Sequence, residues 1–459
     1  MRSLKIKEIV EATSGRLLRG DPEEEILNIS TDSREVLEQA LFIPIIGEKF
    51  DGHDFMTSAF ANGYKSFLID ASHEYLEEDV NLIEVEDTTK AYGDIAKYYQ
   101  EKFTLEKIGI TGSVGKTSTK DIIASVVSMK YKTLKNLGNL NNEIGLPKTL
   151  LNLDETYEAA VLEMGMSFAH EIEHLAFVYR PKIAVITNIG LSHIENFASQ
   201  DEIFKAKMEI TSYFDASNIL IINGDDPYLK TLKASSKPYR IFSYGFGHDN
   251  DFCCSSYEIL EDYSTFKVVI NGCEEEFKVP SNAKHNILNS IAAIIVGLLL
   301  DIPLAKIKEG LEHFKITKGR LTILKKKDLT IIDDSYNASL DSTLAALEVL
   351  SNYKTRRVAI LGDVLETGSH AEEIHRGIGS GVVSKADVLI TVGKDARFIL
   401  DEALNCGFLK ENTRHYKDVE DLLKDVLDIV RDDDTVLVKA SRGIMLDRVV
   451  DLLDKSYED

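Results

Sequence analysis

Residues 107–120 read KIGITGSVGKTSTK, and this stretch decides the fold. An apolar run, Ile108 to Ile110, enters a turn carrying Gly112, Ser113, Val114, Gly115, Lys116 and Thr117, after which Ile122, Ile123, Val126 and Val127 recur at helical spacing. The pattern predicts strand, glycine turn and helix. Backbone N–H groups at such a turn and at the helix N-terminus point at one place, and with Lys116 they suit a polyphosphate; the Thr117 hydroxyl suits Mg²⁺. ATP or GTP is the expected ligand, with Gly112, Ser113, Gly115, Lys116, Thr117 and Ser118 as its contacts. A strict phosphate loop has glycine five residues before Gly115, where Ile110 stands; the glycines fall instead at 109, 112 and 115.

Working outward, the 459 residues suffice for about three domains of roughly 150 residues each. With 44% hydrophobic and 28% charged residues the composition is globular. A net charge of -23 argues against nucleic acid or an anionic membrane as partner, because phosphate surfaces reward basic proteins. The four cysteines, Cys253, Cys254, Cys273 and Cys406, lack paired metal-ligand spacing and read as free thiols in a reducing compartment. The N-terminus has no apolar stretch of signal-peptide length, and the most apolar run, Ile291 to Leu300, is too short to span a bilayer. A cytoplasmic enzyme without membrane insertion is expected.

Residues 4 to about 84 hold short strand and helix signals and two polar clusters: Ser30, Thr31, Asp32, Ser33 and Arg34, then Gly47, Asp51, Gly52, His53 and Phe55. They read either as solvated loops or as a place where hydroxyls, amides and Arg34 hold an anion. Residues 85 to about 315 carry the phosphate loop. Within them, Asn139, Asn141 and Asn142 of NLGNLNNEIGLP (136–147) either cap turns or hydrogen-bond a peptide-like substrate. Ala159 to Leu162 predicts a buried strand ending in Glu163. A carboxylate there borders the crevice in which open α/β sheets bind ligands, which makes Glu163 a candidate Mg²⁺ ligand. KIAVIT (182–187) predicts another strand, and its run-out to His193 favours a ligand role for that histidine over a structural one. Lys207, by helical spacing, is a surface lysine on a helix that buries Ile203, Phe204 and Ile210. NILIIN (218–223) is a further strand, and residues 243–279 are β-rich, with Glu274 to Glu276 on a solvated edge. Lys284, His285, Asn286 and Asn289, ahead of the apolar helix, either cap it or read the edge of a base.

From about residue 316 to 459 the pattern is doubly wound. Strands at 329–332, 358–361, 388–392 and 436–438 alternate with helices near 341–351, 371–384, 394–404 and 418–430. One rim of that parallel sheet should collect Asp333 to Asn337, then Gly362, Asp363 and Glu366, then Lys439, Ser441 and Arg442.

Nearly the whole chain resembles the Mur ligase family. The likeness rests on STDSR (30–34), GEKFDGHDF (47–55), GITGSVGKTSTK (109–120), GNLNNEIGLP (138–147), LEMGM (162–166), TNIGLSHIENF (187–197), KAKMEI (205–210), KHNILN (284–289), KGR (318–320), DDSYNAS (333–339), LGDVLETG (361–368) and VKASRG (438–443). Within the family the likeness is closest to members that join D-alanyl-D-alanine to UDP-N-acetylmuramoyl-tripeptide. Those members use glycines spaced as at 109, 112 and 115.

The resemblance implies an α/β protein of three domains: a small UDP-binding domain (1–84), a central phosphate-loop ATPase with a mostly parallel sheet (85–315), and a Rossmann-like C-terminal domain (316–459) that closes and admits the dipeptide. It implies ATP, two Mg²⁺ ions and a carbamylated lysine as cofactors, amide-bond ligation through an acyl phosphate, a role in peptidoglycan synthesis, and a monomer. Lys116, Lys207, His193 and Arg320 would be catalytic, and Thr117, Glu163, His193 and Lys207, as its carbamate, would hold metal. His285, Asn286, Asp334 and Tyr336 would handle adenine and ribose. Ser30, Asp32, Ser33, Arg34, Gly47, Asp51, His53, Asn141, Asn142 and Asn337 would contact the substrate. The family's Asn-Pro after DDSYNA is replaced here by Ser339 and Leu340, and the usual glycine before Leu41-Phe42 by Ala40. A family member that adds the third amino acid would carry Asp-Asn-Pro, which is absent. A protein of another class, a nucleotide-gated binder, would hydrolyse ATP without any acceptor.

Overall fold

The structure, a computed structural model, describes residues 1–47, 49–74 and 78–457. Glu48 of the GEKFDGHDF motif and the last two residues, Glu458 and Asp459, lie outside the described residues.

Three main sheets follow one another along the chain. The first has five strands: β1 (Arg16–Arg19), β2 (Asn28–Ser30), β3 (Ala40–Phe42), β4 (Ser66–Asp70) and β5 (Asn81–Val85), in the order β1-β5-β4-β3-β2. Only the β1–β5 pair is antiparallel. Helix α1 (Thr88–Gln100), capped by the Asp87 carboxylate on Lys90 N, leads into the second sheet.

That second sheet has nine strands. It begins with β6 (Glu106–Thr111), followed by α2 (Lys116–Val127), β7 (Thr133–Lys135), α3 (Gly145–Leu150), β8 (Ala159–Glu163), β9 (Ile183–Ile186), α4 (Gln200–Met208), β10 (Ile219–Asn223), β11 (Arg240–Gly245), β12 (Phe252–Ile259), β13 (Ser264–Ile270) and β14 (Cys273–Val279). The order is β14-β13-β12-β11-β10-β9-β6-β8-β7. Strands β7 through β12 run parallel and the last two turn back antiparallel. Parallel strands covered by helices on both faces must be apolar at nearly every position, which is why β8, β9 and most of β10 read as continuous buried runs. Glu274 and its neighbours stand on the edge strand β14, as their charge predicted. Because β6 lies between β8 and β9, consecutive connections leave its C-terminal end in opposite directions. The phosphate loop therefore opens at the topological switch point of the sheet.

Helix α5 (Lys284–Leu299) is buried on all sides from Ile291 to Val296 and packs across α2. Each such Ile or Val, fully removed from water, contributes about 1.5–3 kcal/mol, so the glycine turn is mounted on a rigid helix. After α6 (Leu304–Glu312) comes the third sheet: β15 (Thr322–Lys325), β16 (Leu329–Asp333), α7 (Leu340–Ser351), β17 (Arg357–Gly362), α8 (Ala371–Val382), β18 (Val388–Val392), β19 (Thr413–Tyr416) and β20 (Asp434–Lys439). Its order is β15-β16-β20-β17-β18-β19, parallel except for β15. Every strand and helix predicted for this region is present. Strands β15 and β19, four residues each and each carrying a basic side chain, have too little periodicity to be read in advance.

Candidate active site

Gly112 has φ +147°, and a Cβ built there would stand 1.9 Å from Thr187 Oγ1, so no other residue fits this turn. Gly115 caps α2 in the left-handed region. The segment after β9 braces the loop: Ser113 N donates to Asn188 O (3.0 Å), Val114 N to Asn188 Oδ1 (2.9 Å), Thr187 Oγ1 to Val114 O (2.6 Å) and Gly190 N to Ser113 Oγ (2.8 Å). Ile110 is a fully buried strand residue paired with Glu163 and Val185, which explains why no glycine is needed there. Lys116 reaches back to Gly112 O (2.8 Å); burial lowers its pKa, Glu163 raises it and Arg320 lowers it further.

Glu163, at the end of β8, is 3% exposed and accepts from Thr117 Oγ1 (2.6 Å) and Asn141 Nδ2 (2.7 Å). Asn141 thus braces the carboxylate, while Asn142 Oδ1 caps α3 by accepting from Gly145 N. Sequence reasoning passed over Asn136. It is 2% exposed, and its amide donates to Leu140 O and Glu163 O and accepts from Glu163 N, stitching the asparagine loop to the strand end. Its place as the first residue of that loop, directly after a strand, was the available signal.

A cavity of about 580 Å³ opens over the loop. Lining it are Ser113, Gly115, Lys116, Thr117, Ser118, Asn141, Asn142, Glu163 and His193 from the second sheet's domain, with His285 at the start of α5. From the C-terminal side come Arg320, Asp334, Tyr336 and Asn337. The Arg320 guanidinium lies 4.1 Å from the Tyr336 ring centroid. Asp334 is locked to Lys439, Nζ to Oδ2 at 2.5 Å, and accepts from Leu321 N. Burial, then Lys439, push the His285 imidazole down to about 4, so it faces the cavity uncharged at neutral pH. Ser339 is the N-cap of α7, its Oγ accepting from Ser342 N, so this chain starts that helix without the family's Asn-Pro.

Two expectations are corrected. Lys207 is not a surface lysine: it is 1% exposed, on the face of α4 that also buries Ile203 and Ala206, and it forms no ion pair among the described residues. Burial lowers its pKa far below that of a free lysine, and Lys116 pushes it further the same way. Asn286 is turned away from the cavity, its amide donating to Ser281 Oγ and accepting from Asn289 Nδ2; Asn289 lines the cavity in its place.

Residues 30–34, 47, 51 and 53 line a different region. Ser30 Oγ donates to Glu35 (2.6 Å), Ser33 is buried, and the exposed Arg34 guanidinium pairs with Asp32, holding that carboxylate well below its usual range. Gly47 N donates to Phe50 O. Asp51 accepts from His53 Nδ1 (2.7 Å) and sits 3.1 Å from His73 Nε2. The donor atoms of Asp51, His53 and His73 fall within 4.8 Å of one another. The two rings, however, stack in parallel at 3.9 Å, and their nitrogens are engaged by the Asp51 and Asp70 carboxylates.

Thr117 and Glu163 fit a divalent cation, an alcohol and a carboxylate already in contact beside a phosphate loop. His193 fits as well: its ring lines the same cavity, with Nδ1 turned to Glu366 Oε2 at 2.5 Å.

Fold and site together define an enzyme that handles a nucleoside triphosphate in a cleft closed by a second α/β domain. The matching family models are the Mur ligase family catalytic domain (residues 25–100), the Mur ligase middle domain (110–297) and the Mur ligase glutamate ligase domain (319–442). The chain is 38% identical over 456 residues, 98% of each chain, to UDP-N-acetylmuramoyl-tripeptide--D-alanyl-D-alanine ligase of Bacillus subtilis, and 30% identical over 461 residues, 99% of each, to the enzyme of that name from Escherichia coli. Its structure superposes on MurF from Acinetobacter baumannii with a TM-score of 0.92, at 28% identity and 99% coverage of both chains. On MurF ligase from Thermotoga maritima in complex with ADP the TM-score is 0.84, at 27% identity over 94% of this chain and 97% of that one. The chain belongs to the Mur ligase family.

Proposed function

We propose that this chain ligates D-alanyl-D-alanine to UDP-N-acetylmuramoyl-tripeptide at the expense of ATP, a cytoplasmic step of peptidoglycan synthesis carried out by a monomer. The observation that carries the reading is a cavity lined both by the phosphate loop and by the C-terminal rim, in a chain alike along its whole length to relatives that bear this name. The domains divide at 84/85 and 315/316.

Amide formation in water requires an activated carboxylate. The terminal carboxylate of the tripeptide attacks the γ-phosphorus of ATP, ADP leaves, and the dipeptide amine then displaces phosphate from the acyl phosphate. Phosphoryl transfer of this kind is mainly positioning and charge neutralisation. The loop amides and Lys116 hold the phosphates, Arg320 faces the terminal one, and His285, Asp334 and Tyr336 border the nucleoside. Thr117, Glu163 and His193 would hold Mg²⁺, which supplies charge neutralisation at the transferring phosphate. Lys207 suits carbamylation. Burial, then the Lys116 charge, lower the pKa of its amine, which favours the neutral form that adds to CO₂ with loss of a proton, and a cation at Lys116 favours the resulting anion. Arg34, Ser30, Asp32, Ser33, Gly47, Asp51 and His53 serve the UDP end, and Asn141, Asn142 and Asn337 the peptide. A closed cleft keeps water from the acyl phosphate.

Mass analysis of products from ATP, Mg²⁺ and UDP-MurNAc-tripeptides of either third residue, with and without D-alanyl-D-alanine, tests the assignment. A mass gain of one dipeptide is expected; ATP hydrolysis indifferent to the acceptor, with no mass gain, would sink it.

A further inference from the structure

The loop after β17 crosses from the C-terminal domain to the segment bearing His193. Glu366 Oε2 stands 2.5 Å from His193 Nδ1. Glu366 is a non-glycine residue at φ +60°, a conformation with a steric cost, and the loop is tied down on every side to keep it there. Val364 N donates to Nε2 of the fully buried His375, whose Nδ1 bonds Ala371 O (2.6 Å); Leu365 N donates to Ser441 Oγ (2.9 Å); and the Asp363 carboxylate accepts from Lys394 N and Ala396 N. Two residues on, Gly368 packs so closely that a Cβ would lie 3.2 Å from Glu195 Cα. A fixed loop therefore delivers one carboxylate to one nitrogen of a histidine whose ring lines the reaction cavity.

We propose that Glu366 is a positioning residue acting in trans between domains: closure presses its carboxylate on His193 Nδ1, fixing the ring's tautomer and leaving Nε2 to face the cavity. Histidines that ligate metals are commonly oriented by a carboxylate on their second nitrogen, and loss of that partner typically weakens the metal about 10–100-fold. Here the partner arrives only with the domain that brings the acceptor, so completion of the cation site and closure become one event. The inference rests on the reading of His193 as a metal ligand.

The test uses the full-length chain with Mn²⁺ as probe, its binding in the presence of ADP followed by electron paramagnetic resonance. In E366G, glycine relaxes a left-handed residue, so thermal stability should stay equal or rise, while the weaker of two Mn²⁺ affinities falls about 10-fold to 100-fold. E366Q, which keeps the shape and a hydrogen-bonding oxygen, should recover part of that loss. H193A should lose the same Mn²⁺ ion outright. Unchanged Mn²⁺ binding in E366G beside a loss in H193A would overturn the positioning role alone. Two intact ions in H193A would overturn the metal reading beneath it.

Discussion

Replacing Asn136 by alanine isolates how the strand end bearing Glu163 is held. The side chain is buried and makes three hydrogen bonds, to Leu140 O at 2.8 Å, Glu163 O at 3.0 Å and from Glu163 N at 2.9 Å. Truncation leaves the two buried backbone groups of Glu163 without that partner, at about 1–3 kcal/mol each, and frees the half-buried Leu140 carbonyl. A water drawn into the vacated space and satisfying one of them would leave a net loss of about 1–3 kcal/mol. Glu163 then loses its brace, and the apparent Mg²⁺ requirement of ATP turnover should rise about 10-fold or more, the scale for removing the support of a ligand. The chain has no tryptophan, so urea unfolding is followed by circular dichroism. Asn139→Ala, in the same loop but exposed and with no side-chain hydrogen bond among the described residues, is the control and should stay within about 0.5 kcal/mol of the parent. Equal stability and equal Mg²⁺ dependence in the two variants would refute the reasoning.

Three further outcomes are expected. Asp121 is buried; burial alone would raise its pKa, but Lys120, Lys135 and Thr317 together outweigh burial and hold it below the usual value. Its contribution is therefore present above about pH 4 and lost as pH falls, so Asp121→Asn, which strands the buried Lys120, should cost about 3 kcal/mol at neutral pH by urea unfolding, and that deficit should shrink toward about pH 3. Lys116→Ala should lower ligation about 100-fold to 1,000-fold in a steady-state assay, and near-normal turnover would remove the phosphate loop from the mechanism. Lys207→Ala should be inactive and partly rescued by a small carboxylate. With ¹³CO₂ the parent should show a carbamate resonance that fades on acidification, as the amine is protonated; a fully active Lys207→Ala would count against the carbamate.

The sequence by itself determined the strand, glycine turn and helix at 106–127, the apolar strands that end in Glu163 and run toward His193, and the doubly wound C-terminal sheet. Each is a local pattern in which the spacing of apolar residues and glycines directly reflects backbone geometry. What only the tertiary structure decided concerns groups whose neighbours are distant in the chain. Lys207 has the spacing of a surface lysine, and only the packing around the last turn of α4 strips it of water. Asn136 and Asn286 are chemically alike, yet one holds Glu163 and the other turns inward, because the orientation of an amide depends on which donors and acceptors folding brings within reach. Glu366 meets His193 across 173 residues of chain because the C-terminal domain lays its loop against the second sheet's domain. Periodicity reports burial along one element. Pairing between elements depends on where the sheets place their ends, and a single sequence does not encode that locally.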